Sequence, residues 1–123
     1  MANIKKRVLL VDDDPRIGKI FKIKLRVSAF DAVATTSGAE AIELVRTEHF
    51  DVVLLDILMP ELSGFDVLAT IRTFSGIPVI VFTARPEIFE RAKRLGATDF
   101  IAKPLDPDGL VRKINAVLSQ TDS

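Results

Sequence analysis

Short apolar runs alternate along this chain with longer stretches in which apolar and charged residues recur every three or four positions. The runs Val8-Leu9-Leu10-Val11, Val52-Val53-Leu54-Leu55, Val79-Ile80-Val81-Phe82 and Phe100-Ile101-Ala102 are short and rich in β-branched residues. They predict strands buried on both faces. With a weaker run, the predicted strands cover 7–11, 32–35, 52–55, 79–82 and 100–102. The intervening stretches predict helices. Asp14 can cap the first, with Pro15 at its first helical position, and Ile17, Ile20, Phe21 and Leu25 recur at helical spacing between lysines. Ser37 with Glu40 three residues on is a capping-box pattern, and it opens a helix whose buried face is Ala41, Ile42, Leu44 and Val45. After a loop over 57–62, Ser63 and Gly64 open a third helix that buries Phe65, Leu68 and Ile71. The fourth helix is expected over 86–95, ending at Gly96 as a C-terminal glycine, and the fifth over 106–118.

Strand–helix alternation of this kind predicts an α/β fold, a doubly wound parallel sheet with five helices on its two faces. In the strand order 2-1-3-4-5, strands one and three sit side by side at the switch point, and ligands bind outside the carboxyl ends of the strands there. Several of those ends are polar. Asp12-Asp13-Asp14 follows the first strand, Asp56 the third, Thr83 the fourth and Lys103 the fifth. The topology would bring these acids, a hydroxyl and an ammonium to one edge.

Composition narrows the picture only a little. A chain of 123 residues with 48% apolar and 28% charged residues can build one core, so one domain is expected over 1–119, with residues 120–123 as a polar tail or the start of a linker. Seventeen basic residues balance seventeen acidic ones, and no global field draws the chain to nucleic acid or to an anionic membrane. Neither is expected as a direct partner. With no cysteine, thiolate metal sites are excluded, and a cytoplasmic setting is expected. The basic start, residues 1–7, leads into an apolar run that ends at Asp12, too soon for a signal peptide or a membrane span.

The chemistry expected at the edge follows from charge. Carboxylates a few ångströms apart cannot all ionise cheaply without a cation between them. An oxygen-only group suits Mg²⁺, and a lysine and a hydroxyl opposite complete a cradle for a phosphoryl group. Asp56 is then a candidate nucleophile that would form an aspartyl-phosphate.

Five stretches, Val11-Asp12-Asp13-Asp14-Pro15, Leu55-Asp56-Ile57-Leu58-Met59-Pro60, Phe82-Thr83-Ala84, Gly96-Ala97-Thr98-Asp99-Phe100 and Lys103-Pro104, resemble the receiver domains of two-component response regulators. They do so in that family's order and at nearly its spacing, and the resemblance covers essentially the whole chain. It implies a flavodoxin-like fold and a phosphorylation-operated switch, which takes phosphate from a histidine kinase or phosphotransfer protein and changes a protein-binding face. Such a switch forms and loses its own acylphosphate but turns over no separate metabolite. The expected output is a downstream protein target or a C-terminal output domain outside this chain. The resemblance further implies Asp56 as phosphoacceptor, Asp13 as direct Mg²⁺ ligand with Asp12 assisting through water, and the Leu58 carbonyl as another ligand. Thr83 and Lys103 would each meet a phosphoryl oxygen. Phe100 would be the aromatic residue that turns with Thr83, and the Lys103-Pro104 bond would be cis.

The chain also departs from the family. The segment between Thr83 and Gly96 is about two residues shorter than usual, which shortens the loop or first turn of helix four. Leu58 and Arg85 occupy positions that tune phosphoryl lifetime in the family. An apolar Leu58 and an Arg85 lying across the phosphoryl oxygens would make the phosphorylated state slow to decay. Plainer roles stand beside these: Asp14 as a helix cap, Phe100 as core filling, His49 as a partner of a helix C-terminus, and Arg91, Lys93 and Arg94 as a solvated helix face. A non-phosphorylated interaction module is the alternative function. A metal-dependent phosphohydrolase would need a second acid near Asp56, where Ile57-Leu58 stands, and a flavin carrier would need hydroxyls after the first strand.

Overall fold

The computed structural model describes residues 5–59, 63–104 and 106–121. Pro60, Glu61 and Leu62 of the expected loop, and Asp122 and Ser123 of the expected tail, lie outside these. Among the described residues the strands are β1 (Arg7–Val11), β2 (Asp31–Thr35), β3 (Val52–Asp56), β4 (Val79–Thr83) and β5 (Asp99–Ala102). The helices are α1 (Pro15–Val27), α2 (Gly38–Thr47), α3 (Gly64–Arg72), α4 (Phe89–Arg94) and α5 (Pro107–Thr121). The strands form one parallel sheet in the order β2-β1-β3-β4-β5, as expected.

Period-two alternation divides the core into two layers. Val8, Leu10, Val52, Leu54, Ile80 and Phe82 pack with Phe21 and Leu25 of α1 and Leu110 and Ile114 of α5. The intervening residues Leu9, Val11, Val53, Leu55, Val79 and Val81 pack with Ala41, Phe65, Leu68, Ile71 and Ala92 on the opposite face. Both faces being covered is why the strands read as unbroken apolar runs.

The helix starts follow their caps. Asp14 accepts from the Arg16 N–H at 2.9 Å, Ser37 from the Glu40 N–H at 3.1 Å, and Ser63 from the Asp66 N–H at 3.3 Å. The structure corrects several expectations. Ile20 is 53% exposed, because the buried stripe of α1 runs through Gly18, Phe21 and Leu25 and Ile20 sits about 100° from Phe21 around the axis. Helix four is not continuous: Pro86–Ile88 is a 3₁₀ turn and α4 proper has six residues. Neither start carries a side-chain cap. Gly96 follows with φ +106, the left-handed conformation expected after a helix. The last helix extends through Thr121, three residues past the expected end, and so crosses the start of the expected tail. His49 directly follows the C-cap Glu48 of α2, and its Nε2 contacts Asp51 at 3.2 Å. Arg91, expected in solvent alone, lays its guanidinium over the Phe65 ring at 4.0 Å. No helix among the described residues is long and apolar enough to cross a membrane.

Candidate functional site

The two central strands deliver the acids. β1 ends at Val11, and the next residue keeps the ladder going, with the Asp12 N–H donating to the Thr35 carbonyl at 3.2 Å. Asp56 is the last residue of β3. Because β1 and β3 are neighbours, Asp12, Asp13 and Asp56 each bring a carboxylate oxygen within 4.8 Å of the others. Asp12 is 4% and Asp56 3% exposed, while Asp13 is open to solvent.

Lys103 arrives from the other side. Its N–H donates to the Thr83 carbonyl at 2.8 Å, one step beyond the β4–β5 ladder, and the Lys103-Pro104 bond that follows is cis. The ammonium lies 3.5 Å from Asp12 Oδ2 and 3.4 Å from Asp56 Oδ2. It also lies over the ring of Phe82, 4.6 Å from the centroid, a contact to a residue that reads in the sequence only as part of an apolar strand.

Electrostatics follow from this packing. Burial first, and then the facing charge of Asp12, push the Asp56 carboxyl up from 3.8 to about 6, against the opposing pull of Lys103. Burial likewise raises Asp12, opposed mainly by the Asp14 N–H, which donates to Asp12 Oδ1 at 2.8 Å. One ammonium thus lies against two enclosed carboxylates with a third, exposed one beside them, and negative charge remains in excess. The donors are all oxygen, and an oxygen set with uncompensated charge fits a hard divalent cation such as Mg²⁺.

The remaining candidates surround this group. The Leu58 N–H donates to Asp56 Oδ1 at 3.2 Å, so the turn after β3 folds back on the acid, while the Leu58 side chain is 43% exposed. Thr83 is 1% exposed, and its hydroxyl accepts from the Arg85 N–H at 3.1 Å. Arg85 departs from expectation: its guanidinium pairs with Glu87 at 2.9 Å in solvent, a local partner two residues on, in place of lying over the acids. Phe100 is half-buried and stacks on Phe89, with ring centroids 4.9 Å apart at 28°. Asp14 is engaged as a cap and pairs with Arg16 at 2.9 Å, as its plainer reading expected.

Comparison with known proteins finds relatives along nearly the whole chain. Residues 8–115 match the family described as response regulator receiver domain. The chain is 40% identical over 120 residues to a probable transcriptional regulator ycf27 of Guillardia theta, covering 96% of this chain and 47% of that protein. It is 35% identical over 124 residues to the DNA-binding response regulator MtrA of Mycolicibacterium smegmatis, covering 99% and 54%. Among solved structures, a CheY-like response regulator receiver domain protein from Methanospirillum hungatei superposes with a TM-score of 0.90 at 28% identity, over 97% of this chain and 98% of that one. The receiver domain of a Francisella response regulator gives 0.88 at 30% identity, over 95% and 99%.

These relatives correct one expectation. Balanced charge gives no reason to expect nucleic acid as a partner. Yet relatives matched along nearly the whole chain include one named as a DNA-binding response regulator, and the chain spans about half the length of the curated relatives it matches. Charge balance reports only on the residues counted, and 123 residues carry no information about the other half of such proteins.

Proposed function

The chain belongs to the response regulator receiver domains, and from that premise we propose that Asp56 accepts a phosphoryl group from a partner histidine kinase or phosphotransfer protein. The observation that carries the proposal is the enclosed Asp56 carboxylate, 3.4 Å from the Lys103 ammonium and grouped with the carboxylates of Asp12 and Asp13. A carboxylate oxygen of Asp56 attacks phosphorus. The new O–P bond forms as the P–N bond of the donor phosphohistidine breaks, and its electron pair stays on the imidazole nitrogen, which takes up a proton. Lys103 holds positive charge where the phosphoryl oxygens gather, and the walls around Asp56 limit water. Asp12, Asp13, Asp56 and the Leu58 carbonyl would hold Mg²⁺, which when bound supplies further neutralisation of phosphoryl charge.

The response is assigned to Thr83 and Phe100. The Thr83 hydroxyl turns from its local N–H partner to a phosphoryl oxygen, and Phe100 leaves its stack on Phe89 as it does so. The phosphorylated state reverts by hydrolysis at the same site, and no separate metabolite is turned over. Leu58 stands at the mouth without a polar atom on its side chain to orient water, so spontaneous loss is slow. A cytoplasmic setting is assigned with the function.

Intact mass after incubation with a small acyl-phosphate donor tests the proposal. Wild type with Mg²⁺ should gain the mass of one phosphoryl group. Wild type in chelator and Asp56→Asn should not, and equal labelling of Asp56→Asn would exclude Asp56.

A further inference from the structure

We propose that Phe82 is a positioning residue for Lys103, its ring face holding the ammonium between Asp12 and Asp56. Four residues meet here by strand alternation. Asp12, Asp56, Phe82 and Lys103 each lie two positions past a residue of the layer under α1 and α5, namely Leu10, Leu54, Ile80 and Ile101. Phe82 is the direct neighbour of Asp56 on one side and of Ile101 on the other. Its side chain is 2% exposed, so the ring is held by the core and not by the ammonium.

The carboxylates alone do not fix Lys103. Charge-assisted N–H···O bonds run about 2.7–2.9 Å, whereas the two contacts here are 3.4 and 3.5 Å. A flexible four-carbon stem with such loose partners could swing fully onto either acid. The ring lies 4.6 Å below the ammonium and attracts it through its negative face, more strongly where water is scarce. Beside the pair lies a cavity of about 290 Å³ lined by Ile17, Phe21, Phe82, Ala84, Lys103 and Pro104, in which Lys103 is the one residue with a polar side chain. Leucine or valine at position 82 would cover Lys103 without attracting it. Phe82 thus presets a cation that must otherwise reorganise when charge arrives.

What Lys103 does there rests on the proposed function; where it is held does not. The test uses Phe82→Leu, Phe82→Tyr, and phenylalanines with one, two or three ring fluorines placed at position 82. The fluorines weaken the ring face and keep its shape, so this series survives even if Phe82→Leu folds poorly. Two readouts are taken: the upfield ring-current shift of the Lys103 ε-methylene protons by NMR, and the initial rate of labelling by a small acyl-phosphate donor. The shift should be present in wild type and Phe82→Tyr and lost in Phe82→Leu. The rate should fall about three- to tenfold in Phe82→Leu, the rate equivalent of one cation–π contact, and stepwise with fluorine number. In a Lys103→Ala background, Phe82→Leu should cost nothing further. Absence of the shift in wild type overturns the proposal, as do rates flat across the fluorine series or an equal loss in the Lys103→Ala background. Should wild type take no phosphoryl group at all, the functional reading fails, and the ring-current shift still decides whether Phe82 holds Lys103.

Discussion

A carboxylate as enclosed as Asp56, facing a second acid, makes its ionised form a cost to the folded state. Its folded value of about 6 lies above the ordinary 3.8, so between those values the native state binds more protons than the unfolded one. Stability therefore falls as pH rises through that window and stays lowered above it. Asp56→Asn removes the charge and should raise stability at about pH 7.5 in chelator by ~1–3 kcal/mol. The gain should shrink to about a few tenths of a kcal/mol at about pH 3.5, where Asp56 is protonated in the folded state and roughly two-thirds protonated in the unfolded one. Urea midpoints at the two pH values check this, and an Asn variant no more stable than wild type at the higher pH contradicts it. Leu58 supports a second prediction at the same scale. Leu58→Asn supplies a group that can hold water at the mouth of the site, and should speed phosphate loss about tenfold for each ~1.4 kcal/mol of barrier removed. Time courses of loss in Mg²⁺ decide it, and equal half-lives would remove Leu58 from lifetime control. Arg85 is left out of this prediction because its guanidinium lies beside Glu87 and not over the acids.

Elements place these residues, and Gly64 shows how closely. A Cβ there would lie 2.4 Å from the Ile57 Cα and 2.6 Å from the Asp56 carbonyl oxygen, backbone atoms that cannot step aside. The N-terminus of α3 therefore rests directly on the end of β3, and the Gly64 N–H donates to the Ile57 carbonyl at 2.9 Å. Gly64→Ala should cost ~1–3 kcal/mol or more and slow labelling as well, because the strand end carrying Asp56 must move. Wild-type urea midpoint and labelling rate in this variant would refute the coupling. Arg72 makes a similar tie, donating to the Gly96 carbonyl at 3.0 Å and the Ser75 carbonyl at 3.1 Å, which joins α3 to the turn before β5. Most elements were legible because local signals agreed: apolar runs marked strands, and Asp14, Ser37 and Ser63 marked helix starts. Where no such signal exists, the sequence does not mark the boundary. No capping side chain opens α4, so its 3₁₀ entry was invisible. No glycine or proline follows Leu118, so α5 had no written end. Ile20 and Ile23 alternate with lysines around α1, and only packing against the sheet shows that Phe21 and Leu25 are the buried pair.

Across the whole molecule, equal totals of acid and base conceal an uneven distribution. Three acids crowd one edge of the sheet, while α1 carries Arg16, Lys19, Lys22, Lys24 and Arg26 and no acid. The acids were legible as a site because each ends an apolar run, and polar strand ends converge in an open parallel sheet. Phe82 was not, because an aromatic inside such a run reads as core until Lys103 is seen above it. The central claim is that one carboxylate, Asp56, forms the acylphosphate, and borohydride trapping tests it most directly. Reduction of an aspartyl-phosphate leaves homoserine at the modified position. After treatment with an acyl-phosphate donor and Mg²⁺, then borohydride, peptide sequencing by mass spectrometry should find homoserine at position 56 in wild type and none when donor or Mg²⁺ is withheld. Homoserine at position 12 or 13, or at no position in a protein that has gained phosphoryl mass, would contradict the account.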